Sequence, residues 1–308
     1  MELSLEKSDT RRRFKQLAPR PITRVKILKH TKLVESSAKY QQQSWEKLKK
    51  RFAFFLSIVT EENVLLIKER IYKFNIVRAK GLFCSSILEA QLFQTKNTDL
   101  YAFMVSLINL DFPNIAELLL IRCIWQLKSG YRQHVIHVYS SSAIFIAHLI
   151  YRGVADVSLG LDVLKLLFRY PTDEDLIKTA VMFYTICGEK MKKRFRKAAI
   201  LFTVHHMSLN FEFSSRIRVM IDREVLKPKN YDIPNLSEST ATDGYQNIVH
   251  NINFNGIEDP LDYFDDFEVD IDFIANNEIY QLQIQNPMNL IDYGQVNDSD
   301  DADDEEED

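Results

Sequence analysis

The chain has 308 residues, 46% of them apolar, with eight glycines, eight prolines and three cysteines. That is enough apolar material for a sizeable core, but the longest apolar runs, such as Leu100–Leu110, stop short of the roughly 18 residues that a membrane span needs. Cys84, Cys123 and Cys187 are too far apart in sequence to form a zinc or redox motif, and unpaired thiols fit a reducing compartment, cytosolic or nuclear.

The net charge of −4 conceals a strong polarity along the chain. Residues 1–51 hold 15 Lys/Arg against 5 Asp/Glu, residues 52–229 hold 24 against 16, and residues 230–308 hold 22 acids with no Lys or Arg. A basic front and an acidic back predict that different surfaces meet different partners.

Residues 1–43 sustain no apolar period and carry Arg11, Arg12 and Arg13 among further basic residues, which reads as a flexible basic arm. Such an arm suits nuclear import or the neutralisation of RNA phosphates, and a solvated terminus has the same composition. From Ser44, expected to cap the first helix, amphipathic helices follow one another through residue 229. Trp45, Leu48, Phe52, Phe55 and Leu56 share one side of the first. Thr60-Glu61-Glu62 should begin the second with a cap and first-turn acids, and Val64, Ile67 and Ile71 continue it.

Asn75–Gln91 is amphipathic with a basic entrance at Arg78 and Lys80. Gly81, inside it, costs about 1 kcal/mol relative to alanine and predicts that another backbone approaches closely there. Asn97–Asn109 makes a further helix, and Pro113 suits a first turn. Ile115–Leu127 is apolar nearly all round, as a helix buried on several sides would be. Gly130, Gly153 and Gly188 mark expected helix ends, and Pro171-Thr172-Asp173 a stop and a capped start. About ten helices result, in pairs recurring every 35–40 residues or so, near the HEAT-repeat range.

Residues 230–256 read as a linker. Residues 257–291 mix acids with Leu261, Tyr263, Phe264, Phe267, Ile271, Phe273 and Ile274, and either dock on the basic helices or stay mobile until a partner arrives. Residues 292–308 are disordered by composition, and so acidic a tail should compete with RNA for the basic surfaces.

Catalytic motifs are lacking: there is no Walker-type loop, no G-x-G-x-x-G, no G-x-S-x-G and no H-E-x-x-H. His134 and His137 lie a helical turn apart without a third ligand nearby. His148 lies in an apolar run, as a core histidine would. The cluster Asp262, Asp265, Asp266 lacks the glycine of a calcium loop. The expectation is a protein that is not an enzyme, with no cofactor and no metal.

The pattern Asn75-Ile76-Val77-Arg78-x-x-Gly81-Leu82-x-x-x-Ser86-Ile87-Leu88-x-Ala90-Gln91 resembles the start of the helical-repeat domain of the CWC twenty-two pre-mRNA-splicing factor family, itself similar to the middle domain of initiation factor 4G. Six fragments follow the family's order: Trp45-Glu46-x-Leu48-Lys49-Lys50, Phe112-Pro113-x-Ile115-x-Glu117-Leu118, Gly130-Tyr131-Arg132, Ala147-His148-Leu149-Ile150, Pro171-Thr172-Asp173 and Cys187-Gly188. Asp270-x-Asp272-Phe273-Ile274-x-Asn276-Asn277-Glu278-x-Tyr280 is similar to the segment closing that domain.

The resemblance implies an all-α, HEAT-like helical-repeat solenoid of about five helix pairs, between the basic arm and the acidic C-terminal segment. It implies a nuclear, non-catalytic spliceosome scaffold, monomeric within a large complex and off the membrane. Its partners would be spliceosome core proteins, a DEAD-box helicase of the initiation-factor 4A type or a DEAH-box splicing helicase, and pre-mRNA. A role in exon-junction complex assembly is implied as well.

The helicase contact would fall on Ser57, Ile58, Asn75, Arg78, Lys80, Asp111 and Phe112. Ser57 and Ile58 stand where the family has an Asn-Lys pair, and the family's second helical domain, of the MA-three type, is not matched by the residues that follow, so a scaffold that has lost the helicase grip is the alternative form. A reading of another class is an RNA-binding adaptor using Arg11, Arg12, Arg13, Lys192, Lys193, Arg194, Arg196 and Lys197. Other relatives of the middle domain, in ribosome assembly, cap binding or nonsense-mediated decay, also stay open.

Overall fold

The computed structural model describes residues 36–170, 172–195, 214–223, 248–257 and 262–285. Arg11, Arg12, Arg13, Arg196, Lys197 and residues 286–308 lie outside the described residues. Ten α-helices and no strand occur among those described, as the scarcity of glycine and proline requires. They are α1 (Ala38–Ser57), α2 (Val64–Tyr72), α3 (Lys80–Phe93), α4 (Thr98–Asp111), α5 (Pro113–Arg132), α6 (Ile136–Tyr151), α7 (Val157–Leu167), α8 (Glu174–Arg194), α9 (Ser215–Ile221) and α10 (Phe273–Gln285).

Successive helices pair and stack in two layers. The packing α1 on α3 and α3 on α5 forms one layer, and α2 on α4, α4 on α6 and α6 on α8 the other. This is a helical-repeat solenoid, in which each pair buries what its neighbours leave uncovered. The middle is the most enclosed: every residue from Leu100 to Asn109 on α4 is buried. On α5, Arg122 is buried along with its apolar neighbours, although a guanidinium cannot leave water without partners.

Several boundaries differ from expectation. The cap of α1 is Ser37, whose hydroxyl accepts from the Tyr40 N–H at 3.3 Å, so the helix starts six residues before Ser44 and Ser44 caps nothing. Thr60–Asn63 forms a turn, tied by the Thr60 N–H to Asn63 Oδ1 at 2.8 Å, and α2 begins only at Val64 without first-turn acids. Gly130 and Gly188 lie inside α5 and α8 instead of ending them. Without a Cβ, Gly130 admits the start of α6, since an added methyl would lie 2.9 Å from the Tyr139 nitrogen. Gly153 does end α6, at φ 75°, and Asp173 caps α8 by accepting from the Asp175 and Leu176 N–H groups.

Residues 248–257 and 262–285 run back along the solenoid. His250 pairs with the loop after α6, giving its N–H to Val154 O and accepting from the Asp156 N–H, both at 2.9 Å. Its Nε2 lies 2.7 Å from Asn109 Oδ1. Further on, Lys128 of α5 donates to the carbonyls of Phe254 and Ile257, and residues 262–285 reach α3, α1 and α2. We call residues 262–285 the strap.

Candidate partner interface

Of the two courses left open by the sequence, the described part of the acidic-apolar segment takes the first: residues 262–285 dock. The tightest point is Gly81, where a Cβ would lie 2.2 Å from the Phe264 carbonyl oxygen. This is the close backbone approach that a glycine inside a helix predicts. Beside it, Arg122 NH1 meets Asp265 Oδ1 at 2.8 Å and also donates to Gly81 O and Ser85 Oγ. Ser85 in turn donates to Asp265 Oδ2 at 2.7 Å. The buried arginine of α5 thus finds its charge partner 143 residues away.

Gln41 of α1 reads the strap's backbone. Its amide donates to Asp270 O at 2.8 Å and accepts from the Asp270 N–H at 2.9 Å, the two bonds a neighbouring strand would make. Asp270 then folds onto the strap itself, accepting from the Asp272 N–H and from the Asn276 side chain, which positions the start of α10.

The basic entrance to α3 lies under this cover. Arg78 donates to Gln41 Oε1 and Glu268 O, and its guanidinium lies 5.3, 5.9 and 5.0 Å from the centroids of Trp45, Phe267 and Phe273. Lys80 Nζ sits 3.9 Å from the Phe264 ring centroid. Burial lowers the pKa of both groups, with Asp270 opposing the shift at Arg78. Asn75 uses Oδ1 to cap the Arg78 N–H and Nδ2 to reach Asn277. These three candidates are together, and all three are occupied within the chain.

Asp111 and Phe112 gather around a second contact. Tyr72 donates to Asp111 Oδ2 at 2.7 Å and Lys68 pairs with the same oxygen at 2.6 Å. Burial, then the Asp111 charge, raises the Tyr72 pKa well above its ordinary value. Phe112 is buried against Tyr72 and stacked on Tyr280 with centroids 5.9 Å apart, while the Tyr280 hydroxyl donates to Tyr72 O. A groove of about 340 Å³ opens beside them, lined by Leu65, Glu69 and Ile284 as well.

Ser57 and Ile58 alone of the seven stand at an open edge. Ser57 Oγ turns back to Phe54 O, and Asn63 Nδ2 holds Ile58 O at 2.9 Å, so the loop is firm. Phe54, Ile58, Leu65 and Leu66 expose apolar surface around it. A firm loop with exposed apolar side chains suits contact with another protein.

The three described members of the basic set sit at the end of α8. Lys192 pairs with Glu189 at 2.7 Å and Arg194 with Asp156 at 3.2 Å, while Lys193 is exposed. His134 and His137 are exposed, and no group of three His, Cys, Asp or Glu among the described residues could share an ion. All three cysteines are buried, which pushes the Cys84 thiol up to about 12 and raises Cys123 and Cys187 as well. Such thiols are poor nucleophiles. The sequence reading gave no site role to Gln41, Arg122, Asn277 or Tyr280; Asn277 and Tyr280 stood only within the closing-segment pattern, and Arg122, a charge among apolar residues, carried a signal that could have found it.

No family model matches the chain. Among curated proteins, it is 29% identical to the pre-mRNA-splicing factor CWC22 homolog of Caenorhabditis elegans over 93% of its length and 33% of that protein's. It is 31% identical to the Mus musculus CWC22 homolog, over 85% of the chain and 29% of the relative. It is also 32% identical to the male determiner protein Mdmd(Y) of Musca domestica, over 82% and 22%. The chain therefore spans about a third or less of the curated relatives it matches. By this similarity along most of its length, and with the helical-repeat solenoid that carries it, the chain is similar to part of the CWC22 homologs, and relatives at about 30% identity support kinship with the CWC22 family.

Proposed function

We propose that this protein is a non-catalytic scaffold in pre-mRNA splicing, working in the nucleus as a monomer among spliceosome core proteins. One observation carries the reading beyond kinship: the firm edge at Ser57 and Ile58 with exposed Phe54, Leu65 and Leu66. Stacked helices hold such an edge rigid, and a rigid apolar edge binds without a large ordering cost. The partner is an RNA helicase, of the DEAD-box initiation-factor 4A type or the DEAH-box type, and assembly of the exon-junction complex is the step it would serve.

The grip would differ from the family's. An Asn-Lys pair offers hydrogen bonds and a charge, whereas Ser57-Ile58 offers one hydroxyl and an apolar side chain, so the contact would be less dependent on salt. Asn75, Arg78 and Lys80 would join it only if the strap moved aside. Purification of the tagged protein with its companions tests the scaffold role: spliceosome proteins and one of these helicases should co-purify, and Ile58→Glu should release the helicase but not the spliceosome proteins. Recovery of ribosome-assembly, cap-binding or decay factors in place of spliceosome proteins would overturn the reading in favour of another middle-domain role.

A further inference from the structure

α10 is apolar on both of its sides, and the solenoid takes only one. Phe273 and Tyr280 are its buried residues. Ile271, just before the helix, is 92% exposed, and Ile274, Ile279 and Leu282 are 49, 53 and 61% exposed. Ile271, Ile274, Glu278 and Leu282 follow one another at steps of three and four residues, which makes them one stripe. A groove of about 550 Å³ runs along it, lined by Ile274, Glu278, Gln281 and Leu282 among others. The helix is 13 residues long, and so extends about 20 Å. From the other side it is held in place: Asn75 Nδ2 donates to Asn277 Oδ1 at 3.0 Å, Asn276 is tied to Asp270, and Tyr280 stacks on Phe112.

A contiguous apolar stripe on an exposed helix marks contact with another molecule, and the charges around it decide which kind. Glu268, Asp272 and Glu278 are exposed and, among the described residues, form no ion pair. Residues 230–308 contain no Lys or Arg, so the segment brings no cation of its own. RNA phosphates would be repelled by these carboxylates. A second copy laid face to face would set carboxylate against carboxylate, which like charges disfavour. An amphipathic helix with apolar residues along one side and Lys or Arg beside them satisfies both the stripe and the carboxylates.

We propose that the outer face of α10, from Ile271 to Leu282, docks a basic amphipathic helix of a partner protein. Ile274 and Leu282, about 12 Å apart along the axis, take apolar residues from successive turns of that helix, and Glu278 between them takes an ammonium or guanidinium group. The strap is already folded against the solenoid, so little ordering of its own opposes binding. This face shares no residue with the edge at Ser57 and Ile58, and either contact can fail while the other stands.

The test is fluorescence anisotropy of a labelled amphipathic peptide of leucine and lysine, helical over about four turns, with the full chain. Ile274→Ser/Leu282→Ser, at exposed positions, should weaken binding about tenfold or more, as loss of two central apolar contacts does in a small interface. Glu278→Lys should weaken it about tenfold at about 50 mM salt and less at about 500 mM. A peptide of the same charge with serine in place of leucine should bind the original and the double variant alike, and circular dichroism checks helical content in each case. Equal affinity of the leucine peptide for the original and the double variant would overturn the proposal. So would cross-links from a photoreactive group on the peptide that fall in residues 299–308 and not in residues 271–282, which would assign the binding to the acidic tail by charge alone. Sedimentation of the chain by itself is the remaining arm: a dimer that Ile274→Ser/Leu282→Ser converts to monomer would give the face to a second copy instead.

Discussion

Arg78 and Lys190 are both partly buried cations lying over aromatic rings, yet their surroundings are opposite in kind. Arg78 has the Trp45 ring and the Gln41 Oε1 acceptor from α1, and the Phe267 and Phe273 rings and the Glu268 carbonyl from a strap much later in sequence. Lys190 has a single ring from the neighbouring helix, and its nearest charges are cations. The difference teaches where the chain spends its acids. Those of the strap are set against particular positions of the first three helix pairs, whereas at the end of α8 the acids that pair with Lys192 and Arg194, Glu189 and Asp156, come from the solenoid itself.

The comparison breaks most completely if the strap is prised off. Gly81→Ala puts a methyl group into the Phe264 carbonyl, where only backbone could yield, and should cost about 3 kcal/mol. The expected outcome is a lower urea midpoint together with rapid proteolysis within residues 262–285, while α6 and α8 keep their amide protection. Equal loss of protection at both ends would mean that the strap is no separate unit. Asp265→Ala keeps the backbone fit but strips Arg122 of its carboxylate. Asp265 is 31% exposed, so the loss should be about 2 kcal/mol, under the roughly 3–5 of a fully buried pair. Replacing Arg122 with methionine in the same chain should recover part of it.

The other end is sharpened by pH. Burial holds the His148 pKa at about 4, with Asp99 raising and Arg152 lowering it to a lesser degree, whereas an unfolded histidine titrates near about 6.5. As pH falls, the unfolded chain takes the proton first, so this contribution is intact above about pH 6.5 and is lost on the way to about pH 4. At about pH 5 the loss should be about 2 kcal/mol. Unfolding at a series of pH values, compared between the original and His148→Gln, isolates it; parallel curves would refute it. The smallest effect is expected from Tyr280→Phe, which removes the hydroxyl's bonds to Tyr72 O and to the Ile76 backbone and should cost about 1 kcal/mol by thermal unfolding.

The helical architecture was legible because apolar spacing and the lack of breakers are local properties. Pro113 and Asp173 also behave as read, since a cap or a first turn is decided by nearby residues. Ser44 and Thr60 misled because several residues at an amphipathic start can cap, and packing of Trp45 and Val64 selects among them. Gly188 misled because glycine inside a helix and glycine at its end have the same letter; here Tyr184 fills the space. The strap was half legible. Gly81 announced a close approach without naming the other backbone, and acids among aromatics announced a docking partner without naming its groove. The pairing of Gln41 with Asp270 leaves no trace in either local sequence.

Gln41 also bears on the order in which the protein can be made. Repeat proteins ordinarily nucleate in any neighbouring pair and propagate outward. Here α1 emerges from the ribosome with Trp45 and the Gln41 amide still without their cover, and the Asp270 backbone that covers Gln41 leaves only after 229 further residues. At about 5–20 residues per second, that interval lasts from about ten seconds to most of a minute. Throughout it the first repeat is an incomplete surface, open to any chaperone or early partner that offers an acidic, aromatic segment in the strap's stead.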